Sequence, residues 1–496
     1  SGSVDSGTAP FYHNTAWYRI LPSTHYDNPA TNVDAGGDKT IEGYVIRQDS
    51  ASPCFDCHGH ELRTNTHYSR DEAEEGDNPL DYGSTIHTQW ASSAHAGGLL
   101  KAKYAAADAN PVTVSRGQDG YEEQGMAQVD AVMATGAIDA PIGNAWAHYD
   151  WDTTGRAACQ HCHTATGAAN FLDAAVEGVA YSSAANDFSH LAVGQNEMLY
   201  CWGCHSNAQT GVLRGIGEDA EENPVSSIPL DYLVDGVAVA LSAPDLNSGV
   251  CLSCHSGRGN VNTLLNGGTE EDPANTDTTT YRNGGTSTHY LTAGAIINQA
   301  QTRVGYTFGL LAADAANYAD PSYYAHNTIG CAECHMTSGE SHTFEVVEKD
   351  DAGVISRVAS TKCVECHDGE HGAALVAEDS ALGTAAAAAA FMEEEAEGYH
   401  QALEVLAGVL TDAGTPPQAG YPYFSGTPAN EGHSGAMHNY SLLHHEPGAF
   451  AHNRLYAKRL IYDSLDWLDN AAMDESVTID ATAYPHAAAW LGATRP

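Results

Sequence analysis

The chain has 496 residues, with 64 acidic against 20 basic side chains and a formal net charge of −44. That balance argues against nucleic acid and anionic membrane surfaces as partners, and no apolar run approaches the roughly 18 residues needed to span a bilayer. The 31 Leu, 14 Ile, 27 Val and 9 Phe make up only about 16% of the chain, a share that at this charge predicts disorder unless something else supplies apolar surface.

In chain order, residues 1–50 form a polar segment containing His13 and His25. From there to His367 the cysteines follow one rule. All 12 fall into Cys-x-x-Cys pairs, each with a histidine directly after it. The first set is Cys54, Cys57 and His58; the second is Cys159, Cys162 and His163; the third is Cys201, Cys204 and His205. The remaining three are Cys251, Cys254 and His255; Cys331, Cys334 and His335; and Cys363, Cys366 and His367. Six pairs could build three structural zinc sites, but zinc does not require a histidine after every pair. A redox dithiol motif is expected once, in a βαβ setting. Covalent attachment of haem c needs this string: two thiols add to the two vinyl groups on one porphyrin edge, and the adjacent imidazole reaches the iron. Six haems also answer the composition, because each supplies a large flat apolar surface for short segments to pack on. On that reading the haems form much of the core and the haem-free chain does not fold. Length alone predicts two to four domains, but six sites in one run predict a continuous chain of haems.

A second histidine on the open side of each iron makes an electron carrier, and an open side makes a catalytic site. Of 26 histidines, those with the strongest distal context are His87 and His95 in "IHTQWASSAHA", His148 in "NAWAHYDW", His190 in "DFSHL", His289 in "STHYLTAGA", His326 in "YYAHNTIGCAECHM" and His342 in "SGESHTF". His13, His25, His67 and His452 stand in reserve. His161 sits inside an attachment loop and points away from its own iron, and His444–His445 reads as structural or solvated. His342 lies seven residues past His335, at most about 23 Å away when extended, so it is expected to turn to a neighbouring haem. The stretches "AEEGDNP" and "EEDPANTDTTTYRNGGTSTH" read as surface loops. Phe344–Val347 and "VISRV" at 354–358 read as a small hairpin around Asp350–Gly353, and little else reads as strand.

From about 380 onward there is no attachment motif. Phe391, Tyr399, Leu403, Leu406 and Leu410 recur at helical spacing, and Gly414 with Pro416 and Pro417 ends that helix. A second helix is predicted through 451–470, with Leu455, Ile461, Leu465 and Leu468 near one face. The expected fold is a multihaem cytochrome c, mostly coil with short α-helices wrapped round a haem chain, little β structure and a helical C-terminal region. Its parts are a haem-free segment 1–50, a six-haem region 51–379 and a helical region 380–496.

The segments "IHTQWASSAHA", "WAHYDW", "LYCWGCH", "CLSCHSGRG", "AHNTIGCAECHM", "SHTF" and "AFAHNRLYAKRLIYDSLDWLD" together resemble the exported multihaem cytochromes c of microbes that respire outside the cell. Parts also resemble the nitrite reductase and hydroxylamine oxidoreductase superfamily. The lysine that replaces the motif histidine in many of those reductases is missing, since every motif here ends in His. The resemblance implies electron transfer rather than catalysis, with a reductase of nitrogen or sulfur oxyanions as the alternative and a structural or storage role for haem as the third. It implies redox partner proteins or extracellular acceptors. It also implies export, extracellular rather than periplasmic. The chain has no cysteine outside the motifs, so no lipid anchor is expected. On count and export it is similar to the subunits of cytochrome filaments, with His13 or His25 as a ligand donated between subunits. Calcium would suit the acidic excess, although no EF-hand pattern is present.

Overall fold

The computed structural model describes scattered positions between 86 and 131, residue 151, and residues 154–189, 197–208, 211–214, 217–218, 224–225, 227–242, 247–261, 288–310, 325–337, 341–350, 352–367, 381–419 and 423–496. The first attachment motif, His13, His25, His67, His87, His148, His190 and both loop stretches up to residue 287 lie outside the described residues. The chain divides into two compact units, one of Ser1–Ile216 with Ser338–Glu345 and one of Gly217–Thr337 with Val346–Pro496.

In the first unit a 3-10 turn, Thr154–Cys159, runs into α1 (Gln160–His163). Thr164 then leaves the helix and caps the next, α2 (Ala165–Glu177), its hydroxyl accepting from Gly167 N at 3.0 Å. A hydroxyl at this position satisfies one of the orphan donors of a helix start. Gly178, at φ 66°, closes α2. The buried face of α2 is small, with Ala165, Ala168, Ala169, Phe171 and Leu172, which lets α3 (Cys201–Cys204) lie close upon it. A Cβ at Gly203 would stand 3.1 Å from Ala165 Cα and 3.0 Å from Leu199 Cδ1, so the glycine sets that approach. The buried Glu197 carboxylate accepts from Thr166 N at 2.8 Å and from its hydroxyl at 2.9 Å, which offsets the cost of burying it. A two-strand ribbon, β1 (His205–Asn207) and β2 (Val212–Leu213), follows α3.

The second unit begins with two antiparallel ribbons, β3 (Gly217–Glu218) with β4 (Pro224–Val225), and β5 (Ser227–Val234) with β6 (Val237–Ser242). The longer one turns at Asp235–Gly236, both at positive φ, the pair that a tight hairpin turn selects. Short helices follow: α4 (Ser248–His255), α5 (Ala293–Ile297), α6 (Gln299–Thr302) and α7 (Cys331–His335). The expected hairpin is present as β7 (Val347–Lys349) with β8 (Ile355–Val358), but its first strand starts three residues later than the Phe344–Val347 read from the sequence, because Phe344, at φ 60°, is not extended. Asp350 closes its loop, its side chain accepting from Ala352 N and Val354 N. α8 (Thr361–Cys366) comes next.

The rest is a helical bundle of α9 (Ala381–Asp412), α10 (Glu431–His444), α11 (Ala449–His452), α12 (Arg454–Asn470) and α13 (Pro485–Leu491). Its core joins Tyr399, Leu403, Leu406 and Leu410 of α9 to Leu442 and Leu443 of α10, Leu460, Ile461 and Leu465 of α12, and Trp490 of α13. The helix predicted through 391–410 is therefore present and longer than its apolar spacing shows. Gly414, at φ 88°, follows its end. The helix predicted over 451–470 is two pieces. Asn453 breaks it, and its side chain accepts from Tyr456 N to start α12. Helix α10 and the β5–β6 ribbon were not expected. This bundle has a core of Leu, Ile, Tyr and Trp side chains, in the region where the sequence predicts helices and carries no attachment motif.

Candidate haem sites

The Cys-x-x-Cys part of each attachment motif within the described residues lies on a helical turn. Residues at i and i+3 share one face of a helix, so the spacing suits two bonds to one porphyrin edge. The helix continues through His163, His255 and His335, whereas His205 opens strand β1 and His367 follows the end of α8.

In the second unit α7 and α8 lie side by side, joined by Lys362 Nζ to Glu333 at 3.1 Å and by the Thr337 and Ser360 hydroxyls at 3.1 Å. Burial pushes the Cys334 thiol up to about 12, with Cys363 nearby adding to the effect. Burial raises the Cys363 thiol too. A redox dithiol needs the opposite, a thiol lowered towards neutrality. Nor do the described residues contain three or more His, Cys, Asp or Glu groups gathered for a metal ion.

The histidines are arranged differently. His205 faces His342 with ring centres 6.3 Å apart and planes 26° from parallel. His335 faces His452 at 6.1 Å and 32°, and His367 faces His326 at 6.1 Å and 66°. Each pair joins a motif histidine to one from a distant part of the chain. An iron held between two imidazoles would give this spacing, since bonds of about 2 Å plus about 1.1 Å from nitrogen to ring centre on each side would sum to about 6.2 Å. The residues fit haem c.

Other ring nitrogens are held by neutral groups. His326 Nδ1 lies 2.8 Å from the Ala451 carbonyl and His255 Nδ1 lies 2.7 Å from that of Leu291. His342 Nδ1 lies 3.1 Å from the Ser341 hydroxyl, and His342 N donates to Gln89 Oε1 at 3.1 Å. The exception is His452, whose Nδ1 lies 3.0 Å from the carboxylate of Glu446. In the first unit His163 stacks on Trp151, with ring centres 4.2 Å apart.

Of the remaining sequence candidates, His95 sits in the turn Ala94–Ala96 edge-on to Phe344. His289, at φ 74°, packs against Tyr290. His161 is buried against Phe171. His444 stacks on Tyr440 and His445 packs at a tilt against Tyr290, and burial holds the His445 imidazole down to about 4. His452 stood in reserve in the sequence, yet it is one of the three that face a motif histidine. One signal could have raised it: the tripeptide Ala-His-Asn occurs at both 325–327 and 451–453.

Residues 7–214 match the family model described as C-type polyheme cytochrome domain 2. The chain is 39% identical to the C-type polyheme cytochrome OmcC of Geobacter sulfurreducens, in a match that covers all of this chain and 65% of OmcC. It is 38% identical to OmcB of the same species, over 99% of this chain and 67% of OmcB. The chain thus spans about two thirds of the length of these relatives. No solved structure matches it. Motif, geometry and relatives agree, and the chain belongs to the C-type polyhaem cytochromes.

Proposed function

We propose that the chain is an electron carrier, not an enzyme, holding six haems c with histidine on both faces of each iron. The observation that carries this is the set of three histidine pairs at 6.1–6.3 Å. When bound, the haems supply one-electron ferric–ferrous exchange. The twelve motif cysteines hold them covalently. The proximal ligands are His58, His163, His205, His255, His335 and His367, and His342, His452 and His326 are the distal ligands over His205, His335 and His367. The remaining distal ligands come from among His87, His95, His148, His190 and His289. The side-by-side packing of α7 and α8 supports close spacing of the fifth and sixth haems, which short-range electron hopping needs.

Kinship with polyhaem cytochromes of Geobacter sulfurreducens supports a role in respiration with an acceptor beyond the cytoplasm. Haem c is attached outside the cytoplasm, so the chain is exported, and among the described residues no helix is long and apolar enough to cross a membrane. The partners are redox proteins or extracellular acceptors. Self-association into a filament is the further step of this reading, tested by sizing and electron microscopy of native material; monomers alone would end it.

The test of the main reading is a haem count with spectroscopy of the oxidised and reduced protein. Six haems per chain, all low-spin and unreactive to carbon monoxide, are expected. One high-spin haem that binds carbon monoxide or nitrite would favour the reductase instead.

A further inference from the structure

His452 Nδ1 faces a negative charge, where the Nδ1 atoms of His326, His255 and His342 face a carbonyl or a hydroxyl. The carboxylate of Glu446 is 2% exposed, and its Oε1 lies 3.0 Å from His452 Nδ1. Its other oxygen, Oε2, is buried with no hydrogen-bond partner. Burying a carboxylate is costly unless a specific partner offsets the loss of water. Here that partner is the imidazole.

The backbone holds this contact in place. The Glu446 carbonyl accepts from Ala449 N at 3.0 Å and from the Tyr399 hydroxyl at 3.1 Å. Gly448 lies beneath the pair. A Cβ there would stand 2.7 Å from His452 Cε1, 3.0 Å from Nδ1 and 3.3 Å from Glu446 Oε1. Residue 448 must lack a side chain for carboxylate and ring to meet.

We propose that Glu446 is a positioning residue for the fifth haem: by taking the Nδ1–H of His452 it fixes the ring over His335 and makes Nε2 a stronger donor, so that this haem has a lower potential than those whose ligands rest on carbonyl or hydroxyl groups. A carboxylate on the far nitrogen raises ligand basicity, and a more basic ligand favours ferric over ferrous iron. The proposal rests on the reading of His452 as an iron ligand.

The experiment is a spectroelectrochemical titration of the full haem-loaded protein and its E446Q variant, which keeps shape and an acceptor oxygen but loses the charge. All haems should stay low-spin, and one midpoint should rise by about a tenfold change in the ferric–ferrous equilibrium, about 59 mV for one electron. Unchanged midpoints would overturn the proposal. If E446Q does not fold, the native protein decides: one ferric haem should show a near-infrared charge-transfer band displaced towards that of an imidazolate ligand, and identical bands for all haems overturn it. H452A separates the two layers. It should open one haem to carbon monoxide; if none opens, the ligand assignment fails and the tuning falls with it.

Discussion

At the scale of single residues, chemistry written into adjacent positions was legible and chemistry assembled across the fold was less so. Cys331, Cys334 and His335 declare themselves because one porphyrin edge and its iron dictate their spacing. The ring that faces His335 does not, because His452 reaches it from the far end of the sequence and nothing local requires it. Local context singles out His326 and His342 as candidates without saying which iron each would face. The fold now pairs them with His367 and His205. Replacing His326 by Ala should convert one low-spin haem to a form that binds carbon monoxide. The double variant H326A/H452A should convert two, read from the size of the reduced-plus-CO difference spectrum. A lone conversion in the double variant would show that the two histidines serve one iron.

At the scale of elements, apolar spacing found α9 and the main part of α12, because their buried faces are built from Leu, Ile and Tyr. It missed α10, whose buried face includes Gly432, Ser434, His438, Asn439 and Ser441. Such residues suit an interior only when distant partners satisfy them. His438 Nε2 lies 2.6 Å from the Val304 carbonyl, and Asn439 accepts from Tyr306 N and donates to its carbonyl, both at 2.8 Å. The β5–β6 ribbon was missed for a different reason: its Asp-Gly turn was readable and was passed over. Two outcomes follow at this scale. Leu406→Ala, at a fully buried position of α9, should destabilise the bundle by about 2–5 kcal/mol, seen as a lower urea midpoint of helix melting. Burial holds the His438 imidazole down to about 4, below the ordinary value of about 6.5. Between those pH values the unfolded chain binds a proton that the folded chain does not. Its contribution to stability is therefore full above pH ~6.5 and is lost as pH falls towards 4, about 3 kcal/mol across the window. Urea melts of H438Q should show a flatter pH dependence there than the native chain.

At the scale of the whole molecule, the low aliphatic share hides how unevenly those side chains are used. They gather in the bundle core, while the attachment motifs ride on short turns. Haem-free chain should therefore keep protected amides in α9, α10 and α12 while exchanging rapidly around α7 and α8, measurable by hydrogen exchange; uniform exchange would return the bundle to dependence on haem. The charge of −44 acts at this scale too. Electron exchange with a cationic partner should slow as salt rises, since fields are screened within about 8 Å at 0.15 M; a rate insensitive to salt would point to an uncharged contact. The turn α11 adds a consequence for inheritance. Within four residues it presents His452 to His335 and, through the Ala451 carbonyl, steadies the ring of His326 opposite His367. On the proposed ligation, an insertion or deletion between 446 and 453 would displace one ligand and loosen the support of another in one event, so related chains should keep or lose this short stretch as a block, with length across it varying less than in the sequence on either side.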